Sequence, residues 1–124
     1  MAILEGFYTV ISTEKHTDLQ TDFTIEINAN HAIFEGHFPN MPVTPGVVQL
    51  EIAKQLIAKM IGHEVVLSKM SACKYTAILN PNQTPTVVFK LNLTPNEEGI
   101  KATIIVEQET VFSKINATYT EKLS

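Results

Sequence analysis

Two side chains in this sequence have the types and setting for proton chemistry: His37, in the segment Glu35-Gly-His-Phe-Pro39, and Glu51, an acid inside an otherwise apolar run. A histidine, with an ordinary pKa of about 6.5, is the side chain best matched to taking a proton at neutral pH. A carboxylic acid held in an apolar helix tends to keep its proton and can give it up to a leaving group. The two together make a candidate acid/base pair. A third part is available at Gly46 and Val47, just after Pro45, where the free N–H groups and dipole of a starting helix favour developing negative charge.

Positioning these groups falls to the stretch His31 to Met60. Pro39, Pro42 and Pro45 recur every third residue, and proline fixes φ, removes a donor and pushes its predecessor toward extended geometry. The segment from Asn28 to Pro45 therefore reads as a stiff loop. Gly36 allows close backbone approach beside His37, and Phe38 can anchor the loop in the core. A helix is expected from Gly46 to Ile61, started after Pro45 and stopped by Gly62. Its apolar residues, Val47, Val48, Leu50, Ile52, Ala53, Leu56, Ile57, Ala58, Met60 and Ile61, point almost all round the wheel, which predicts a helix buried all round. At 1.5 Å per residue it spans about 24 Å, the width of a small sheet.

The rest of the chain reads as strands. Gly6 to Ser12 is rich in β-branched and aromatic residues, and His16 to Gln20 is polar and turn-like. From Thr21 to Asn28, Phe23, Ile25 and Ile27 alternate with polar residues in the period-two pattern of a half-buried strand. After the helix, strands are expected over Val65–Leu79, Thr86–Leu93, Ile100–Glu107 and Thr110–Tyr119. The connections Asn80–Pro85 and Pro95–Gly99 are short and rich in turn formers, as in hairpins. These elements predict one α+β domain over residues 1–124, with a long central helix wrapped by a curved antiparallel sheet, the hot-dog architecture. Such a sheet leaves an edge that a dimer would cover.

Composition narrows the function classes. The chain has 124 residues, 44% hydrophobic and 18% charged, with a formal charge of −4, as expected of one soluble globular domain. All nine basic residues are lysines, so no arginine is available for bidentate phosphate or guanine contacts and nucleic acid is not an expected partner. No apolar run approaches the ~20 residues of a membrane span. No signal peptide is visible in the first residues, and the single Cys73 offers no disulfide framework, so a reducing cytoplasmic location is the expectation. Cys73 is expected to be a small buried hydrophobe. His16 and His63 are expected to be structural or solvated.

The segment Gly36-His-Phe-Pro-Asn-Met-Pro-Val-Thr-Pro-Gly46 matches the pattern G-H-F-P-x-x-P-x-x-P-G, and Glu51 with Gln55 continues it as E-x-x-x-Q. This resembles the signature of the β-hydroxyacyl-[acyl carrier protein] dehydratases. Lys74-Tyr75 and Pro81-Asn-Gln83 occupy the places of that family's basic-aromatic pair and P-G-D turn, whereas no counterpart of its opening L-P-H-R-Y-P segment is found. The resemblance implies dehydration of a β-hydroxyacyl thioester to a trans-2-enoyl thioester, with no metal or organic cofactor, in fatty-acid or specialised polyene or polyketide synthesis. His37 would be the base, Glu51 the acid, and Gly46 with Val47, flanked by Pro45 and Phe38, the oxyanion and substrate contacts. It further implies that His37 and Glu51 meet across a homodimer, an oligomer of dimers or a heterodimer. The substrate would arrive on an acidic acyl carrier protein, for which Lys69, Lys74 and Lys114 are candidate contacts. Two alternatives stand beside this reading: a hot-dog thioesterase, and a binding subunit whose partner does the chemistry. Structural readings of the same residues also stand: a loop histidine satisfied by a carbonyl, a Glu51 paired with Lys54 or Gln55, and a Gly46 that only eases packing. The trio His31, Glu35 and His37 fits no zinc spacing.

Overall fold

The computed structural model describes residues 5–36 and 43–122. Eight elements follow in order: β1 (Tyr8–Thr17), β2 (Gln20–Ile27), a one-turn α1 (Ile33–Gly36), α2 (Gly46–Ile61), β3 (Val65–Tyr75), β4 (Thr86–Asn96), β5 (Gly99–Gln108) and β6 (Thr110–Glu121). The strands form a single six-stranded sheet in the order β1-β2-β4-β5-β6-β3, with every pairing antiparallel. The sheet curls about α2, so that its two ends approach the same helix: Tyr8 of β1 hydrogen-bonds Gln55 of α2, while β3 at the other end packs beside it.

Alternation explains the middle of the sheet. Phe23, Ile25 and Ile27 of β2, Val87, Phe89, Leu91 and Leu93 of β4, and Ala102, Ile104 and Val106 of β5 are all buried against the helix. The helix contributes Val48, Ile52, Ala53, Leu56 and Ile57 to the same core. Its bounds are those expected. Gly62 ends it at φ 85°, a left-handed conformation open to glycine, with its N–H donating to the Ala58 carbonyl.

Five expectations are corrected. The helix is not buried all round: Val47 is 73% exposed, and Leu50, Met60 and Ile61 are half-buried. The residues from His16 onward do not begin a loop, because β1 runs on to Thr17 and only Asp18 and Leu19 turn. Glu14 pairs with Asp22 and Lys15 with Thr21 across that strand pair; a polar strand whose side chains stay in water shows no hydrophobic period. The Asn80–Pro85 connection is not a hairpin, since β3 pairs with β6 whereas β4 pairs with β2 and β5. Cys73 lies exposed on β3, not in the core. The expected β3 also extends too far, ending at Tyr75 instead of Leu79.

The Pro95–Gly99 hairpin is present, tightened to a pairing of Asn96 with Gly99. Gly99 sits at φ 136°, and a Cβ there would lie 2.4 Å from the Tyr119 carbonyl oxygen, so only glycine fits.

Candidate active site

The start of α2 is held by a buried polar clamp. Thr44 donates its N–H to the Leu79 carbonyl at 2.8 Å, and its own carbonyl accepts from Gln49 Nε2 at 3.2 Å. Ser113 Oγ of β6 then donates to Gln49 Oε1 at 2.9 Å. Gln49 and Ser113 are 3% and 0% exposed, so each needs such a partner to be inside at all. Sequence reasoning missed this clamp; its signal is a glutamine on the core-facing side of an apolar helix.

The clamp aims the first turn of the helix. Pro45, extended at φ −60° and ψ 151°, offers no side-chain cap, and its carbonyl takes the N–H groups of Val48 and Gln49. Among the described residues, the N–H groups of Gly46 and Val47 have no hydrogen-bond partner, the ordinary state of a helix start that has something else to bind. Gly46 lies against the Tyr75 ring: a Cβ built on it would be 2.4 Å from Tyr75 Cζ and 2.6 Å from its Oη. Burial pushes the Tyr75 phenol up, followed by a hydrogen bond with Cys73, so it remains a donor at neutral pH.

Glu51 follows on the same helix, its side chain 13% exposed. Its surroundings differ from the apolar pocket expected. Lys54 Nζ lies 3.1 Å from Oε1, and Gln55 Nε2 donates to Oε2 at 3.2 Å. Tyr8 Oη in turn donates to Gln55 Oε1 at 2.7 Å. Two phenols register the carboxylate: burial first, and the Glu51 charge second, raise both Tyr8 and Tyr119, the latter to about 12. Glu51 forms part of the wall of two clefts. One, of about 180 Å³, is shaped by Val47, Leu50, Val66, Leu67 and Tyr119; the other, of about 140 Å³, by Gln55, Ala58, Val65 and Lys122.

Gly46, Val47, Pro45 and Glu51 are thus brought to one side of α2, next to β3. His37 and Phe38 lie outside the described residues. His31 serves the fold: its Nδ1 accepts the Ile33 N–H at 3.1 Å, its Nε2 reaches the Glu5 carbonyl at 3.0 Å, and its ring packs edge-on against Phe7. His16 lies on β1 with Nε2 3.1 Å from Asp22 Oδ2, and His63 is exposed after the helix. Lys74 and Lys114 face each other directly across the β3–β6 ladder, neither with a carboxylate partner among the described residues, whereas Lys69 lies 3.9 Å from Glu98.

A six-stranded antiparallel sheet curled about one long helix, with polar groups at that helix's first turns, defines a hot-dog domain. The chain belongs to the ApeI-like family, described as ApeI dehydratase, whose model matches residues 12–115. Among curated relatives, it is 36% identical over 91 residues to the 3-hydroxyacyl-[acyl-carrier-protein] dehydratase FabZ of Rickettsia akari, covering 59% of this chain and 63% of that protein. It is 33% identical over 95 residues to the FabZ of Rickettsia conorii, covering 62% and 66%. The chain therefore spans a little under two thirds of the length of these relatives. Among solved structures, the dehydratase heterocomplex ApeI:P from Xenorhabdus doucetiae superposes with a TM-score of 0.73 at 18% identity, covering 91% of this chain and 97% of that one. An uncharacterised protein from Erwinia carotovora gives 0.68 at 16% identity, covering 94% and 95%. At these identities the two structures establish the fold.

Proposed function

We propose that this chain is a hydro-lyase that removes water from a β-hydroxyacyl thioester carried on acyl carrier protein, giving the trans-2-enoyl thioester. The observation that carries the reading is the placement of Glu51, with Lys54, in the wall of an otherwise largely apolar cleft, on the same helix as the unpartnered N–H groups of Gly46 and Val47. His37 takes a proton from the carbon next to the thioester carbonyl. The negative charge that develops on the carbonyl oxygen is met by the Gly46 and Val47 N–H groups. The β-hydroxyl leaves with a proton from Glu51 as water, and the C2–C3 double bond forms. No metal or organic cofactor enters these steps.

The working unit in this reading is a pair of subunits. Strand β3 is a sheet edge eleven residues long, and Val66, Leu67, Met70 and Tyr75 on it are 38–45% exposed. Val66 and Leu67, with the exposed Val47, line the cleft at Glu51, and an uncovered apolar edge of this length calls for a partner. His37 of one subunit would then serve Glu51 of the other. The solved heterocomplex from Xenorhabdus doucetiae supports an unlike partner. The unpaired Lys74 and Lys114 supply a basic patch for an acidic carrier protein: like charges placed opposite each other disfavour folding and are relieved by an anionic partner.

The test is incubation of the purified chain with a β-hydroxyacyl carrier thioester. Enoyl absorbance supports the lyase, and free thiol without enoyl product means a thioesterase. No reaction alone, with turnover restored by an unlike hot-dog partner subunit, means a subunit that is competent only in a heterocomplex.

A further inference from the structure

We propose that Tyr8 is a positioning residue of the candidate acid: its hydroxyl locks the Gln55 amide so that the amide N–H, and not its oxygen, faces Glu51. The inference rests on the lyase reading for its catalytic consequence but not for its geometry.

Gln55 stands one helical turn after Glu51, and its amide can present either end. With the oxygen turned toward Glu51 it would repel the carboxylate; with the nitrogen it donates. An ionised Glu51 would itself favour the nitrogen, but Glu51 in the protonated form that the lyase reading requires can donate to the oxygen as readily as it accepts from the nitrogen. The decision comes from β1, where Tyr8 Oη donates to Gln55 Oε1 at 2.7 Å and so leaves Nε2 to reach Glu51 Oε2 at 3.2 Å. A phenol O–H remains a donor across the working pH range, and here burial and the nearby Glu51 charge both hold the proton on. Lys54 occupies the other carboxylate oxygen, Oε1, at 3.1 Å. The carboxyl group is thereby gripped at both oxygens, and its plane is set from two directions.

The arrangement spans the fold. Tyr8 begins the strand at one end of the sheet, whereas Glu51 faces the cleft beside β3 at the other end. The first strand therefore acts on the site without touching the cleft itself: Tyr8 contributes to neither cleft at Glu51.

Tyr8→Phe keeps the half-buried ring and removes only the hydroxyl. The expected result is a kcat lowered roughly tenfold with KM within about twofold, since one hydrogen bond that orients a reacting group is lost while binding is not. Gln55→Ala is expected to match it, and the double variant to be no slower than either single one. A merely structural tie between β1 and α2 would instead lower the melting temperature and leave kcat per folded molecule unchanged, which would overturn the proposal. A second readout needs no turnover: the side-chain amide resonances of Gln55 in 15N spectra. In the intact protein they are expected to shift on Glu51→Gln, and in Tyr8→Phe to sit near the free-amide position and ignore Glu51→Gln. If Gln55 still senses Glu51 in Tyr8→Phe, the proposal is wrong; if the spectra behave as expected but the protein forms no enoyl product, the lyase reading fails and the positioning stands.

Discussion

Helix α2 has two sides that obey different rules. On one, Ile52, Leu56 and Ile57 are 0–1% exposed and packed against β2, β4 and β5, a finished core that is apolar but for Gln49, whose amide is held by Thr44 and Ser113. On the other, Val47 lies open, Glu51 and Lys54 pair, and Gln55 ties to Tyr8, beside a sheet edge whose apolar side chains remain in water. The first side makes the domain fold. The second carries Glu51, Lys54 and Gln55, and in the proposed reading it is completed by substrate and a second subunit.

That contrast can be broken from either side. Leu56→Ala should cost about 2–5 kcal/mol of stability through lost burial and a cavity, read by urea unfolding. The buried Tyr119, pushed up to about 12 against an unfolded value of about 10, favours the fold in its neutral form. Its contribution is fully present below about pH 10 and is lost as pH rises toward 12, roughly 2–3 kcal/mol in alkaline unfolding. Removing the carboxylate in Glu51→Gln should lower the Tyr119 phenol titration, followed by ultraviolet absorbance, yet leave it above 10 because burial is the larger cause. On the open side, Leu67→Lys should change monomer stability by no more than about 0.5 kcal/mol, while sedimentation shows the loss of any paired form. Lys74→Glu combined with Lys114→Glu should raise KM roughly tenfold for a carrier-linked substrate and leave a short free thioester unaffected.

How much of this was readable from the residues follows the same division. The bounds of α2 and the inner faces of β2, β4 and β5 were readable because burial imprints a period on the sequence. The polar half of β1 and the far end of β3 were not, because strand pairing without burial leaves no period: ten of the eleven β3 residues are exposed. The crossover from β3 to β4 was misread as a hairpin, since turn residues mark where a chain bends and not which strand it rejoins. Glu51, Gly46 and Val47 were singled out by motif spacing, and the structure sets them on the first turns of one helix. Their tethers Gln49–Ser113 and Gln55–Tyr8 join residues 64 and 47 positions apart, and such pairs exist only once the sheet has closed around the helix.

The most direct test of the central claim, that the open side of α2 carries the chemistry, is enoyl absorbance from a β-hydroxyacyl carrier thioester with the intact protein and with Glu51→Gln, compared at equal melting temperature. If the intact chain turns over with whichever subunit completes it, the account predicts that Glu51→Gln abolishes enoyl formation while remaining folded. Full activity in Glu51→Gln would contradict it.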